Sequence, residues 1–215
     1  MAYNLNNKLV IAISSRALFD LEEENQIFEK DGLDAYYKYQ LENEDKSLKK
    51  GTGYRLVENI LKINSFFSSD ERQVEVIILS KNNAATSLRI TNAINDLKLD
   101  IIRSAWTSGT NISNYLKAFK VDLFLSADDN DVLNAIENGV AAAKILHSNE
   151  NINNSSNNQV RIAFDGDAVL FSEESELVYK NNGLDAFIEH EKLNKDNPLE
   201  MGPFAKLLLT IAKIQ

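Results

Sequence analysis

The chain has 215 residues, 44% of them hydrophobic, and 32 acidic against 23 basic side chains give it a formal charge of −9. That balance argues against a nucleic-acid polymer as partner, because affinity for the nucleic-acid backbone comes from Lys and Arg neutralising phosphates. Cysteine is absent, which excludes disulfides, thiolate catalysis and cysteine-based zinc sites and suits a reducing compartment. No apolar run reaches the roughly 18 residues that span a bilayer, and the opening MAYNLNNKLV lacks the charged-then-apolar pattern of a signal peptide. The expectation is a cytoplasmic protein without membrane association; the sequence leaves a homo-oligomer open.

In chain order, Lys8 to Ile13 reads as a buried strand, followed by Ser14-Ser15-Arg16 and then Asp20 as the cap of a helix with Glu23 three residues on. Helical patterning runs through Phe28 and resumes after Gly32. Ser65 to Gln73 is a polar connection, and Val74 to Ser80 a β-rich strand. Ala84 to Leu97 reads as a helix, Asp100 to Trp106 as a third strand and Asn111 to Lys120 as a short helix. Val121 to Ser126 is a fourth strand ending at Asp128-Asp129, and Asp131 to Leu146 an alanine-rich helix. Trp106 reads as a packing residue, the alternative being a platform for a base. Strands alternating with helices predict an α/β fold, a three-layer Rossmann-like parallel sheet with helices on both faces and ligands at the carboxyl ends of strands.

The Asn- and Ser-rich stretch 147–159 reads as a linker between a first α/β unit, 1–146, and a second segment, 160–215. That segment opens with a short apolar run, Val160 to Phe164, read as a buried strand that delivers Asp165-Gly166-Asp167 to a sheet edge. Extended backbone repeats every second residue, so the two carboxylates can face one side, and Gly166 lets backbone approach a ligand. The pair suits either of two roles. It can cap a turn or hold a structural cation, or it can serve phosphoryl transfer, with Asp165 as nucleophile and Asp167 as general acid and base, a divalent cation bridging them. Downstream, Ser172 is placed to cap a helix, Gly183 to interrupt it and Gly202-Pro203 to open the last one, while His190 reads as a helix-surface histidine.

The two segments align with each other without a gap at an offset of 151 residues, the distance from Ala12 to Ala163. Ile11/Ile162, Glu22/Glu173, Gly32/Gly183, Leu33/Leu184, Asp34/Asp185, Gly51/Gly202 and Ile60/Ile211 coincide, among others. This predicts an internally duplicated strand–loop–helix unit. Ser14-Ser15-Arg16 stands opposite Asp165-Gly166-Asp167, so the first copy has no nucleophile of that kind; it is either scaffold or a set of phosphate donors, a task that suits Arg16. The second copy ends at Gln215, opposite Asn64, with none of the three strands that follow in the first. It is therefore read as an incomplete second copy in a C-terminally truncated chain.

The strings FDGDAVLFSEESE, GLDAFIEHEK and NPLEMGPF, with LVIAISSRALFDLEEE and YLKAFKVDLFLSADDNDV before them, resemble the cytosolic 5′-nucleotidase family of the haloacid-dehalogenase-like phosphohydrolases. The resemblance implies magnesium-dependent hydrolysis of a nucleoside 5′-monophosphate through an aspartyl phosphate on Asp165, with Mg²⁺ on the Asp165 carboxylate and the Asp167 backbone carbonyl. It also implies that residues 173–201 help to enclose the substrate, which Gly166 would approach through its backbone. Ser14, Ser80, Lys117 and Asp128 match the superfamily's four motifs in order, with the nucleophile missing. They and Arg16 form either a degenerate site with solvated charges or a set that completes the site of Asp165. The alternatives for function are a phosphatase or phosphotransferase acting on another small metabolite, and a non-catalytic nucleotide-binding fragment.

Overall fold

A computed structural model describes residues 4–147 and 159–214; the predicted linker at 147–159 lies largely outside them. The chain divides into two compact units, Met1–Val160 and Arg161–Gln215.

The first unit is built on five parallel strands. These are β1 (Leu9–Ile13), β4 (Val74–Ser80), β5 (Arg103–Trp106), β6 (Leu123–Ser126) and β7 (Ala142–Lys144), arranged β5-β4-β1-β6-β7. A separate antiparallel pair joins β2 (Phe19–Asp20) to β3 (Lys49–Lys50). Every residue of β1 and β4 is buried, as expected of parallel strands covered on both faces. Alternate side chains divide the core. Val10, Ala12, Ile77, Leu79 and Phe124 pack with Ile112 and Leu116 around helix α5 (Ser113–Ala118) and with Ala135 of α6 (Asp129–Glu137). Helix α3 (Tyr54–Leu61) packs against β4 and α1 (Ser15–Leu18). The predicted α/β architecture is thus observed, with β1 at the centre and its carboxyl end between those of β4 and β6.

Several polar groups buried in this unit are matched. Asp122 Oδ2 accepts from the Val10 N–H at 2.9 Å, and the wholly buried Glu75 pairs with Arg103. Helix α4 (Leu88–Asp96) contributes Arg89, whose guanidinium reaches Glu24 at 2.5 Å and Gln40 at 3.4 Å on α2 (Glu22–Glu42).

Several predicted boundaries move. The helix expected over 131–146 ends at Glu137; Gly139 takes φ +76°, and the alanines that follow enter β7 instead. Alanine's helix preference is weak beside a ladder offered by β6. Helix α2 starts at Glu22 with Leu21 as its cap position, and Asp20 accepts from the Glu22 N–H at 3.4 Å without capping.

The second unit holds α7 (Glu174–Asn194) and α8 (Ala205–Ile214). Residues 159–165 form no strand, and Arg161, Ile162 and Ala163 are exposed, which corrects the buried strand expected at 160–164. A strand is completed by neighbours that take its ladder hydrogen bonds, and among the described residues none does so here. Ser172 does not cap α7 either; Glu173 occupies that position, and the Ser172 N–H donates to Glu200 at 2.8 Å.

Described separately, the long helices of the two units have matching interiors at the offset of 151. Each kinks at a glycine, Gly32 with φ +83° and ψ −173°, Gly183 with φ +83° and ψ −178°. Around each kink stands an edge-to-face ring pair, Phe28–Tyr36 at 5.9 Å and Tyr179–Phe187 at 6.2 Å. Glu24 and Gln40, joined through Arg89, are matched by Ser175 and Glu191, hydrogen-bonded at 2.6 Å. Gly51 and Gly202 likewise each lie where a Cβ would meet backbone, at 2.7 Å and 2.4 Å respectively.

Candidate functional site

A cleft of about 630 Å³ opens at the carboxyl ends of β1, β4 and β6. In an open parallel sheet this is where loops from neighbouring strands part in opposite directions and leave room for a ligand, and the volume lies in the usual range for small-molecule sites. Its floor carries Ser14, Ser15, Ser80 and Ser126, all buried. One wall is Leu21, Phe28, Leu33 and Tyr36, brought there by α2, and the rim holds Arg16, Lys81 and Asp128.

The floor's hydroxyls are linked. Ser80 Oγ donates to Asn82 Oδ1 at 2.9 Å, so in the 3.0 Å Ser15–Ser80 pair the Ser15 hydroxyl donates. Ser14 Oγ accepts from the Ala17 N–H at 3.3 Å and from Ser126 Oγ at 3.4 Å. Tyr36 accepts from Gln40 Nε2 at 3.0 Å and Asn82 Nδ2 at 2.9 Å; burial pushes its phenol above the ordinary tyrosine range, so it stays protonated. Arg16 forms a two-pronged bond with Glu22 through Nε at 2.9 Å and Nη2 at 3.2 Å. Lys81 Nζ lies 2.6 Å from Asp131 Oδ1; burial raises the Asp131 carboxyl, and Lys81 offsets part of that rise. Asp128 caps α6, accepting from the Asp131 N–H at 3.0 Å.

The structure therefore gathers Ser14, Arg16, Ser80 and Asp128 into one cleft. Lys117 is not among its lining; it is exposed on α5 with Nζ 3.5 Å from Asn138 Oδ1. The lysine that lines the cleft is Lys81, immediately after β4. Its sequence signal was position alone, the residue after a strand's carboxyl end. Trp106 ends β5, half-buried, and does not line the cleft.

In the second unit, Asp165 precedes a single wide turn, Gly166–Leu170, closed by the Phe171 N–H donating to the Gly166 carbonyl at 3.0 Å. Within it Asp167 is extended and Ala168 takes φ +58°. Asp165 and Asp167 are exposed and Gly166 half-buried. Beneath the turn, Phe204 packs at 6.4 Å from Phe164. His190 is half-buried rather than on the surface, with Nε2 3.5 Å from Glu174 and Nδ1 3.5 Å from Glu191. Among the described residues neither Asp165 nor Asp167 spends its carboxylate in a hydrogen bond or ion pair, and no group of three or more His, Cys, Asp or Glu is gathered for a metal. Two free carboxylates fit a hard divalent cation of the magnesium type, which keeps several waters and takes one or two carboxylates from the protein.

Among the described residues no helix is long and apolar enough to cross a membrane. A family model described as 5′-nucleotidase matches residues 1–215. The chain is 34% identical over 213 residues to human cytosolic 5′-nucleotidase 1B, an alignment covering 97% of this chain and 35% of that protein. The chain thus spans about a third of the length of the curated relative it matches. With the family model matched from end to end, the chain belongs to the 5′-nucleotidase family.

Proposed function

We propose that this chain is part of a cytosolic, magnesium-dependent phosphoric monoester hydrolase that converts nucleoside 5′-monophosphates to nucleoside and inorganic phosphate. The observation that carries this reading is the Asp165-Gly166-Asp167 turn, which presents two solvent-facing carboxylates without partners among the described residues in a chain of this family. Residues 160–215 are read as the opening of the catalytic unit, with α7 helping to enclose the substrate.

In this reading an Asp165 oxygen attacks phosphorus and the P–O bond to the 5′-carbon's oxygen breaks. The Asp167 carboxyl gives its proton to the departing nucleoside alkoxide. Asp167, now a carboxylate, takes a proton from water; the water oxygen bonds to phosphorus and the bond to Asp165 breaks, releasing phosphate. The Asp165 carboxylate and the Asp167 backbone carbonyl would hold Mg²⁺. Bound there, the ion supplies charge that offsets repulsion between carboxylate and phosphate and stabilises the phosphoryl oxygens. Gly166 offers backbone with no side chain in the way of the phosphate.

Acid quench during turnover, followed by peptide mass spectrometry, tests the covalent step. The reading expects one phosphate on the peptide containing Asp165, absent from Asp165→Asn. Turnover with that peptide unmodified and with Asp165→Asn fully active would exclude it.

A further inference from the structure

We propose that the cleft of the first unit is a second, non-hydrolysing ligand site, built for a phosphate monoester that carries a flat or apolar body. Three observations combine. The cleft, about 630 Å³, sits at the carboxyl ends of the central strands, the position that serves ligands in this architecture. Its floor and rim hold hydrogen-bond donors that the described residues leave unused. Its wall is aromatic and aliphatic.

The donors follow from the bonds already made. Ser14 is 8% exposed, and its oxygen accepts twice, from Ala17 and Ser126, which leaves its own proton without an acceptor among the described residues. Tyr36 is in the same state, accepting from Gln40 and Asn82. Lys81 directs one of its three protons at Asp131, and Arg16 uses Nε and Nη2 on Glu22 and keeps Nη1. A buried donor without an acceptor is costly, and an anion in the cleft would satisfy several at once. The lining's acidic groups each have a partner: Glu24 is paired with Arg89 at 2.5 Å outside the lining, Asp131 with one proton of Lys81 at 2.6 Å within it, and Asp128 accepts from the start of α6. Phe28 and Leu33, 48% and 61% exposed, offer apolar surface at the mouth, suited to stacking a base or covering an aliphatic chain.

The site binds without hydrolysing, because Ser14-Ser15-Arg16 puts no carboxylate where the second unit has Asp165 and Asp167. A serine hydroxyl there needs an adjacent base to become a nucleophile, and the Ser14 oxygen is occupied as an acceptor.

The test is calorimetric titration of the full chain with adenosine 5′-monophosphate, inorganic phosphate and adenosine, in excess chelator so that a divalent cation contributes nothing. The nucleotide is expected to bind at least tenfold more tightly than either fragment. Lys81→Gln, which removes the anchor, and Leu33→Trp, which fills the mouth from an exposed position, should each weaken it tenfold or more, while Asp165→Asn leaves it unchanged. Leu33→Trp also reports folding by its spectrum, so a failure of Lys81→Gln to fold does not hide the answer. No binding by the unsubstituted chain, binding that survives both cleft substitutions, or binding lost with Asp165→Asn would overturn the proposal. None of these results depends on whether Asp165 supports turnover.

Discussion

Gly32 and Gly183 hold the same backbone conformation, φ +83° with ψ near ±180°, 151 positions apart in the chain. This region is essentially reserved for glycine, and a Cβ at either site would meet nothing within 4 Å, so a substitution costs backbone strain alone. Gly32→Ala should therefore lower stability by about 1–3 kcal/mol, read as a lower urea midpoint. Because the kink sets Phe28 and Leu33 on one side of the cleft, it should also weaken any ligand held there. An unchanged midpoint would mean that α2 does not need its kink.

Arg89 ties the two halves of α2 together from α4, reaching Glu24 before the kink and Gln40 after it, with both side chains of the ion pair buried. Removing one partner of such a pair leaves a bare buried charge, which costs about 3–5 kcal/mol. Arg89→Met is expected to destabilise on that scale in chemical unfolding. Glu24→Gln in the same background should restore part of the loss by removing the stranded charge, and no restoration would show that Arg89 acts through other bonds, such as that to the Lys46 carbonyl at 3.0 Å.

Asp131 gives a pH test. Its carboxyl is raised by burial, with Lys81 lowering it only in part. A raised carboxyl costs stability where it is charged, above its folded pKa, and that cost fades as pH falls through the folded pKa toward the unfolded value of 3.8. Asp131→Asn should therefore be the more thermostable form at neutral pH, with its advantage in Tm shrinking toward about pH 4. An advantage that grows on acidification would reverse the sign.

Much of the sheet was legible because its strands are short apolar runs: β4 begins and ends where the residues say, at Val74 and Ser80. The strand expected at 160–164 and the extra one at 142–144 were not. Val160 to Phe164 has strand composition but no neighbour to pair with among the described residues, whereas Ala142–Lys144 has helix-like composition beside a strand that accepts it. Both outcomes turn on partners distant in sequence, which local pattern does not carry. In the cleft, Ser14, Arg16, Ser80 and Asp128 could be found from strand ends, while Lys117 was expected where the structure has Lys81, since spacing along the chain does not say which lysine a loop turns inward.

The most direct measurement is phosphate release from nucleoside 5′-monophosphates, with and without magnesium, by the whole hydrolase of which this chain is proposed to be part, unsubstituted and as Asp165→Asn. Release is expected to require magnesium and to fall by roughly a thousandfold or more in Asp165→Asn, as for loss of a covalent nucleophile. Release that persists in Asp165→Asn, or no magnesium-dependent release by the unsubstituted protein, would contradict the proposed function.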